Sequence, residues 1–274
     1  MRIDLHTHSN RSDGTDTPTE LVENAKAIGL DVVALTDHDH TSGWDEAQLA
    51  ADRIGIRLVS GIEISTKLEH RSIHLLGYDF DRSHPGLTAE LNRVLDGRGN
   101  RLPRLLERLR ELGVDLTLDE VLEHAPSATE SGRPHVADAM VAKGYVADRT
   151  EAFDRFLADG GIAHIPRYSA PLHTAVSLLK QAGGKAVVAH AWSRSSRAVM
   201  TPEVFAELAE LGLDGIEVNH VDHDAEARRE LAGIAGELGL IVTGSSDYHG
   251  TGKSAEFHLG ANTTDPEEFE RLLG

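Results

Sequence analysis

From residue 1 to about residue 80 the chain repeats one pattern: a short apolar run, a polar turn, then a stretch with helical spacing. MRIDLHTHS predicts a first strand, and TPTELVENAKAIGL a helix with Thr17 or Thr19 near its cap and Gly29 at its end. DVVALTDHD predicts strand 2, WDEAQLAADRIG a helix, IRLVSGIEIST strand 3 and RSIHLLGYDF strand 4. The texture then changes. LTAELNRVLDGRGNRLPRLLERLRELG, LTLDEVLEHA, RPHVADAMVAKG and EAFDRFLADGG read as amphipathic helical segments with no strand between them, so residues 87–164 are expected to form a helical insertion. Alternation resumes with TAVSLLKQAGG, KAVVAHAW, the helix PEVFAELAELG, LDGIEVNH, the helix EARRELAGIAGELG, LIVTGSSDYHG, and a short terminal strand and helix.

Parallel strands whose C-terminal ends all bear polar residues describe an α/β barrel or a doubly wound sheet with its site on one face. About seven strands, nearly all ending in metal-competent residues, favour closure, because a ring brings every strand end near one point. The expectation is a seven-stranded (β/α) barrel of residues 1–86 and 165–274 carrying the insertion.

Composition narrows the chemistry. With 274 residues the chain can bury a sizeable core, and with no cysteine it has no disulfide, thiolate zinc site or cysteine nucleophile. No apolar run approaches the roughly 20 residues of a membrane span, and MRIDLHTHS lacks a signal pattern, so a cytoplasmic address is the default expectation. A formal charge of −18 argues against an extended nucleic-acid surface, so an anionic substrate has to be met locally.

Sixteen histidines make their placement decisive. His6 and His8, two apart in an extended run, share a side, a spacing that suits a borderline divalent cation. Asp13 follows in the turn. Asp37-His38-Asp39-His40 ends the apolar run VVAL, and alternation sends either the two histidines or the two aspartates toward a site. Glu63 in GIEIS and His74 in RSIHLLGY interrupt apolar strands, where an unpaired charge is costly. His190 ends AVVAHAW, and Asp247 and His249 repeat the two-residue spacing after LIVTG. The set His6, His8, Asp13, His38, Glu63, His74, His190, Asp247 and His249 suffices for two or three divalent ions and makes a locally cationic pocket suited to phosphate.

These motifs, DLHTHSNRSDG, LTDHDHTSG, GIEIS, IHLLGY, VVAHAW and GSSDYHG, resemble the polymerase and histidinol phosphatase (PHP) superfamily over essentially the whole length. The resemblance implies a distorted seven-stranded barrel with a trinuclear manganese, iron or zinc site. In it His6, His8, Glu63 and Asp247 would hold one ion, Asp13, His38 and His249 a second, and Glu63, His74 and His190 a third. The helical insertion and GRPHVA look similar to the group that hydrolyses nucleoside 3′,5′-bisphosphates and trims short RNA from its 5′ end. Where that pattern has His-Pro-Gly-Arg-Tyr, this chain has His190-Ala191-Trp192-Ser193-Arg194, which leaves the substrate contacts of that loop unassigned.

The mechanism expected is in-line attack on phosphorus by a metal-activated hydroxide, with His8, Asp39, His40 or His249 assisting proton transfer to the leaving group. Arg133, His135, Lys143, Arg167 and Arg194 are the candidates to grip a second phosphate, and Arg133 leads because Pro134 opens a helix with free N–H groups. Tyr168 or Trp192 is the candidate to stack on a base. Rival expectations are a histidinol-phosphate or other small-molecule phosphatase, a C–N hydrolase using a modified lysine, for which only Lys67 offers itself, and a non-catalytic module. The oligomeric state is not legible.

Overall fold

The computed structural model describes residues 1–125, 132–158, 160–166 and 168–274, with the side chains of residues 98–100, 194 and 195 outside that description. β1 (Ile3–Asp4), β2 (Val32–Leu35) and β3 (Arg57–Leu68) pair in parallel. β4 (Arg71–Tyr78) is antiparallel to β3, and β6 (Lys185–Val188) is antiparallel to β4. β5 (Ala170–Pro171) pairs with the far end of β3, off the main path. β7 (Gly215–Asn219) and β8 (Ile241–Gly244) then restore the parallel order. The result is a nearly closed barrel whose path is β1-β2-β3-β4-β6-β7-β8.

The seam between β8 and β1 is held by a single bridge, Thr7 to Tyr248. The buried Asp4 carboxylate reinforces it, accepting the Ser246 N–H at 3.0 Å and the Gly260 N–H at 2.8 Å.

The all-parallel expectation fails at β4, for a local reason. Only Glu69 and His70 separate β3 from β4, and Glu69 takes a positive φ of 52°. A connection that short can only turn the chain back on itself, since a parallel crossover needs a dozen or more residues. The expected strand after β8 is also missing among the described residues, where short 3-10 turns lead directly into a helix (Pro266–Leu273).

Register shows which side chains face inward. Ala34 pairs with Val59, Glu63 with Leu76, Leu76 with Val187, and Gly215 with Ile241, so these residues share one face. Val59, Leu76, Tyr78, Val187 and Ile241 pack as one buried cluster inside the ring. The alternate residues, such as Val33, Ile62, Leu75, Val188 and Ile216, pack outward against α1 (Pro18–Ala27), α2 (Trp44–Ile54) and the later helices. Thr17 caps α1 through a capping box with Glu20.

α3 (Pro85–Glu111) starts below β4 and joins two cores. Leu87 and Val94 belong to the barrel cluster, whereas Leu102, Leu105, Leu106 and Leu109 belong to a second cluster with Val136, Met140 and Phe156. That second core is completed by α4 (Leu118–Leu122), α5 (Arg133–Ala142), α6 (Arg149–Ala152) and a π-helical turn (Phe153–Leu157). No helix is long and apolar enough to cross a membrane among the described residues.

Candidate metal centre

Above the apolar interior the same inward register delivers donors. Glu63 and His74 stand one step beyond Gly61 and Leu76 on the inner face, and Glu217 one step beyond Gly215. Because β4 runs against its neighbours, His74 reaches this level from the beginning of its strand. His38 continues the inward set of Val32 and Ala34 and is bridged to Glu63. All of these groups are buried or nearly so.

The donors form three overlapping groups: His6, His8, Glu63 and Asp247; His8, Asp13, His38 and His249; and His38, Glu63 and His74. Glu63 is the hub. Its Oε2 lies 3.2 Å from His6 Nε2, 3.1 Å from His8 Nε2 and 3.2 Å from His38 Nδ1. Its Oε1 lies 2.6 Å from His74 Nδ1 and 3.1 Å from His190 Nε2, which brings His190 to the third group. The Nε2 atoms of His6 and His8 face each other at 3.0 Å, an arrangement satisfied by a shared proton or by a cation.

The outer nitrogens explain how the inner ones are aimed. His6 Nδ1 lies 3.0 Å from the Glu217 carboxylate, His190 Nδ1 3.0 Å from Ser193 Oγ, and His249 Nδ1 2.9 Å from the Asp247 carbonyl. Each leaves Nε2 pointing at the cluster, the arrangement metal-binding imidazoles need. Burial lowers His190 and His249 to about 4, so both imidazoles are neutral at pH 7. Burial alone would raise Asp13, Glu63 and Asp247, but their neighbours hold all three well below the usual range: His249 and His38 for Asp13, His74 and His38 for Glu63, Lys253 and His6 for Asp247. Neutral imidazoles interleaved with ionised carboxylates fit divalent cations.

Backbone strain marks the same place. Asp39, His190 and Asp247 all take positive φ, at 63°, 27° and 54°, a conformation that costs a non-glycine residue about 1 kcal/mol or more. At Asp39 this breaks the alternation of the DHDH run, so His40 does not follow His38 inward. Asp39 Oδ1 instead accepts the Ser65 N–H at 2.6 Å, and His40 Nε2 donates to the Arg11 carbonyl at 2.6 Å. Asp37 accepts from Ser9 and Ser12 and shapes the Asp13 loop.

A cleft of ≈ 1340 Å³ opens above the donors and runs to the second core. Asp13, His38, Glu63, His74, His190, Asp247 and His249 line its floor, and Arg133 its far wall. Arg133 donates to the Leu157 carbonyl at 2.7 Å and its guanidinium lies over Phe153. His135 is buried and accepts the Gly132 N–H, capping α5. Lys143 pairs with Glu120 at 2.8 Å and is not a lining residue. Arg167 lies outside the described residues, as does the side chain of Arg194. Tyr168 holds Glu90 and Arg93, and Trp192 donates to the Met200 carbonyl.

Several residues escaped the sequence reading. Glu217 sits in GIEVN, a near copy of GIEIS, and the argument applied to Glu63 would have found it. His220, wholly buried, lies 3.4 Å from Asp247 Oδ2. Arg149 clasps both Asp138 oxygens at 2.6 Å and donates to the Gly252 carbonyl at 2.9 Å, linking α6 to the loop after β8. Lys253 contacts Asp247. The last two carry no motif, being surface-type cations in sequence.

A family model for the PHP domain matches residues 4–126. The chain is 36% identical over 248 residues to a 5′-3′ exoribonuclease of Haemophilus influenzae, covering 90% of each protein. It is 32% identical over 251 residues to a 3′,5′-nucleoside bisphosphate phosphatase of Chromobacterium violaceum (92% of this chain, 88% of that one). It is 33% identical over 253 residues to a phosphoribosyl 1,2-cyclic phosphate 1,2-diphosphodiesterase of Eggerthella lenta (91% and 95%). A crystal structure from Bifidobacterium adolescentis, assigned to the metal-dependent phosphoesterases, superposes with a TM-score of 0.94 at 38% identity, covering 99% of this chain and 95% of that one. With a barrel, a buried donor cluster and these relatives named for phosphoester cleavage, the chain belongs to the PHP family and is a metal-dependent phosphoesterase.

Proposed function

We propose that this phosphoesterase removes the 3′-phosphate from nucleoside 3′,5′-bisphosphates, leaving 5′-monophosphates, and accepts short RNA from its 5′ end in the same cleft. The observation that carries the reading is the extent of the cleft, which continues from the donors to Arg133 and the N-terminus of α5. A second phosphate there meets a guanidinium at the positive end of a helix dipole. Residues 87–164 act, on this reading, as the subdomain that supplies the far half of the substrate site. The relatives from Haemophilus and Chromobacterium, named for exoribonuclease and bisphosphate phosphatase activity, support it.

His6, His8, Glu63 and Asp247 would hold one ion, Asp13, His38 and His249 with His8 a second, and Glu63, His74 and His190 a third, with manganese favoured over iron or zinc. Bound ions supply an activated water and offset charge on the phosphoryl oxygens. Glu217 fixes His6, and the Asp247 carbonyl fixes His249. On this reading His8 and His249 serve as ligands, their Nδ1 atoms lying against Ser12 Oγ and the Asp247 carbonyl. Asp39 and His40, tied to backbone partners, serve to position Glu63 and the Asp13 loop. Lys67 is exposed, which removes the modified lysine that C–N hydrolysis would use.

The test is phosphate release by manganese-loaded protein from adenosine 3′,5′-bisphosphate, AMP, histidinol phosphate and a ribose 1,2-cyclic phosphate, with Asp247→Ala as blank. Release from the bisphosphate, absent in the blank, is the expected result. Preference for histidinol phosphate or the cyclic diester would overturn it.

A further inference from the structure

The cleft is lined by the carboxylates Asp13, Glu63, Asp247 and Asp222, so a side-chain cation that reaches this level is a candidate to hold a phosphoryl oxygen beside the ions. Arg149 is committed, with its guanidinium spread over Asp138 and the Gly252 carbonyl. Lys253, the next residue after Gly252, is placed differently. Its ammonium contacts Asp247 Oδ2, lies 4.6 Å from the centroid of the Phe257 ring and keeps 22% of its side chain exposed to the cleft.

Asp247 divides its two oxygens. Oδ1 faces His6 and His8 Nε2 at 3.4 and 3.5 Å, while Oδ2 faces His220 Nε2 at 3.4 Å and Lys253. The His220 tautomer follows from its other nitrogen: Nδ1 accepts the Asp222 N–H at 3.1 Å, so Nε2 carries the proton and donates to Asp247. The width of one carboxylate therefore separates the ammonium from the donor cluster. An ammonium has three donors, and Asp247 occupies one.

We propose that Lys253 is a phosphate ligand, donating a charge-assisted hydrogen bond from the cleft wall to a non-bridging oxygen of the phosphoryl group seated over Asp247. The proposal rests on the phosphoesterase reading and adds a substrate-holding residue to it. The 3-10 turn at Gly250–Gly252, clasped by Arg149, sets where Lys253 emerges, so the same link that ties α6 to the barrel places the ligand.

The experiment measures inorganic orthophosphate binding by calorimetry to the manganese-loaded wild type, Lys253→Met and Lys253→Arg, with metal content per protein determined in parallel. Lys253→Met keeps the aliphatic stem and should retain its metal while binding orthophosphate about 10- to 100-fold more weakly, the range for losing a hydrogen bond to a charged group. Lys253→Arg should keep most of the affinity. Unchanged orthophosphate binding in Lys253→Met would overturn the proposal, as would metal loss in step with phosphate loss, which would make Lys253 a tether for Asp247. A wild type that binds metal and no phosphate would sink the phosphoesterase site reading as well, an outcome distinct from a failure confined to the variant.

Discussion

Replacing Glu217 with Gln preserves size and removes one charge from a wholly buried position. Glu217 Oε1 lies 3.0 Å from His6 Nδ1, and Oε2 accepts the His190 N–H at 2.7 Å. Both partners donate when His6 turns Nε2 toward an ion. A carboxamide has one acceptor oxygen, so its NH₂ has to face one of those donors. A buried donor left without an acceptor costs about 1–3 kcal/mol. Losing a partner that orients a metal-binding imidazole weakens metal affinity about 10- to 100-fold, and the two ranges agree because tenfold is about 1.4 kcal/mol.

The pH dependence of the same variant is a second readout. Burial would raise Glu217, but His6 and its hydrogen bond, with His220 and His190, lower it from 4.5 to about 2. A depressed carboxylate contributes stability that is complete above about 4.5 and is lost as pH falls toward about 2. Metal-free Glu217→Gln should therefore melt below the wild type at pH 7, with the gap closing as the pH drops through that window. Manganese titrations of both proteins at pH 7 measure the main effect. Affinities within twofold of each other would refute the orienting role.

Three further outcomes follow from the geometry. Burial would lower His6, yet Glu63, Glu217 and Asp247 together raise it well above 6.5. Its contribution to metal-free stability is thus complete below 6.5 and lost as pH rises through its folded value, and metal uptake should release a proton. Manganese-binding heats that do not vary with the ionisation enthalpy of the buffer would contradict this. Gly61→Ala would bring a methyl to 2.7 Å from Thr36 Cγ2 and 3.0 Å from Tyr78 Cδ1, inside the barrel below Glu63. Urea titration should show a loss of about 1–3 kcal/mol, and an unchanged midpoint would mean that the interior yields more readily than its packing indicates. Arg149→Ala should speed amide exchange in α5 and α6 while leaving β2 and β3 untouched, whereas equal protection in both proteins would show that the link to Gly252 holds nothing.

The barrel strands and the donor set were readable because each donor interrupts an apolar strand or follows one directly. Glu63 between Ile62 and Ile64 is the clearest case. The direction of β4 was missed, since hydrophobic alternation is the same whichever way a strand runs; the two-residue turn at Glu69 and His70 was the available clue. The DHDH run was ambiguous because alternation presumes extended backbone, which the left-handed Asp39 breaks. His135 and Lys143 looked like phosphate grips by residue type, but a cap and an ion pair with Glu120 claim them. Arg149 gains its significance only from a contact with Gly252, 103 residues away, of which a single sequence carries no trace, and Lys253 from a turn that folds it back onto Asp247.

α3 fixes more than a connection. Its 27 residues form a rod about 40 Å long, at about 1.5 Å per residue, that lies in the barrel core at Leu87 and Val94 and in the second core from Leu102 onward. One continuous helix therefore sets the rotational phase between the wall bearing Arg133 and the floor bearing Glu63. Removing a single residue between Val94 and Leu102 would turn one half against the other by about 100°, swinging the far wall off the cleft while leaving every donor in place. Substrate choice in such a molecule is open to change by indels in a helix that carries none of the donors, and the chemistry at the floor is indifferent to them.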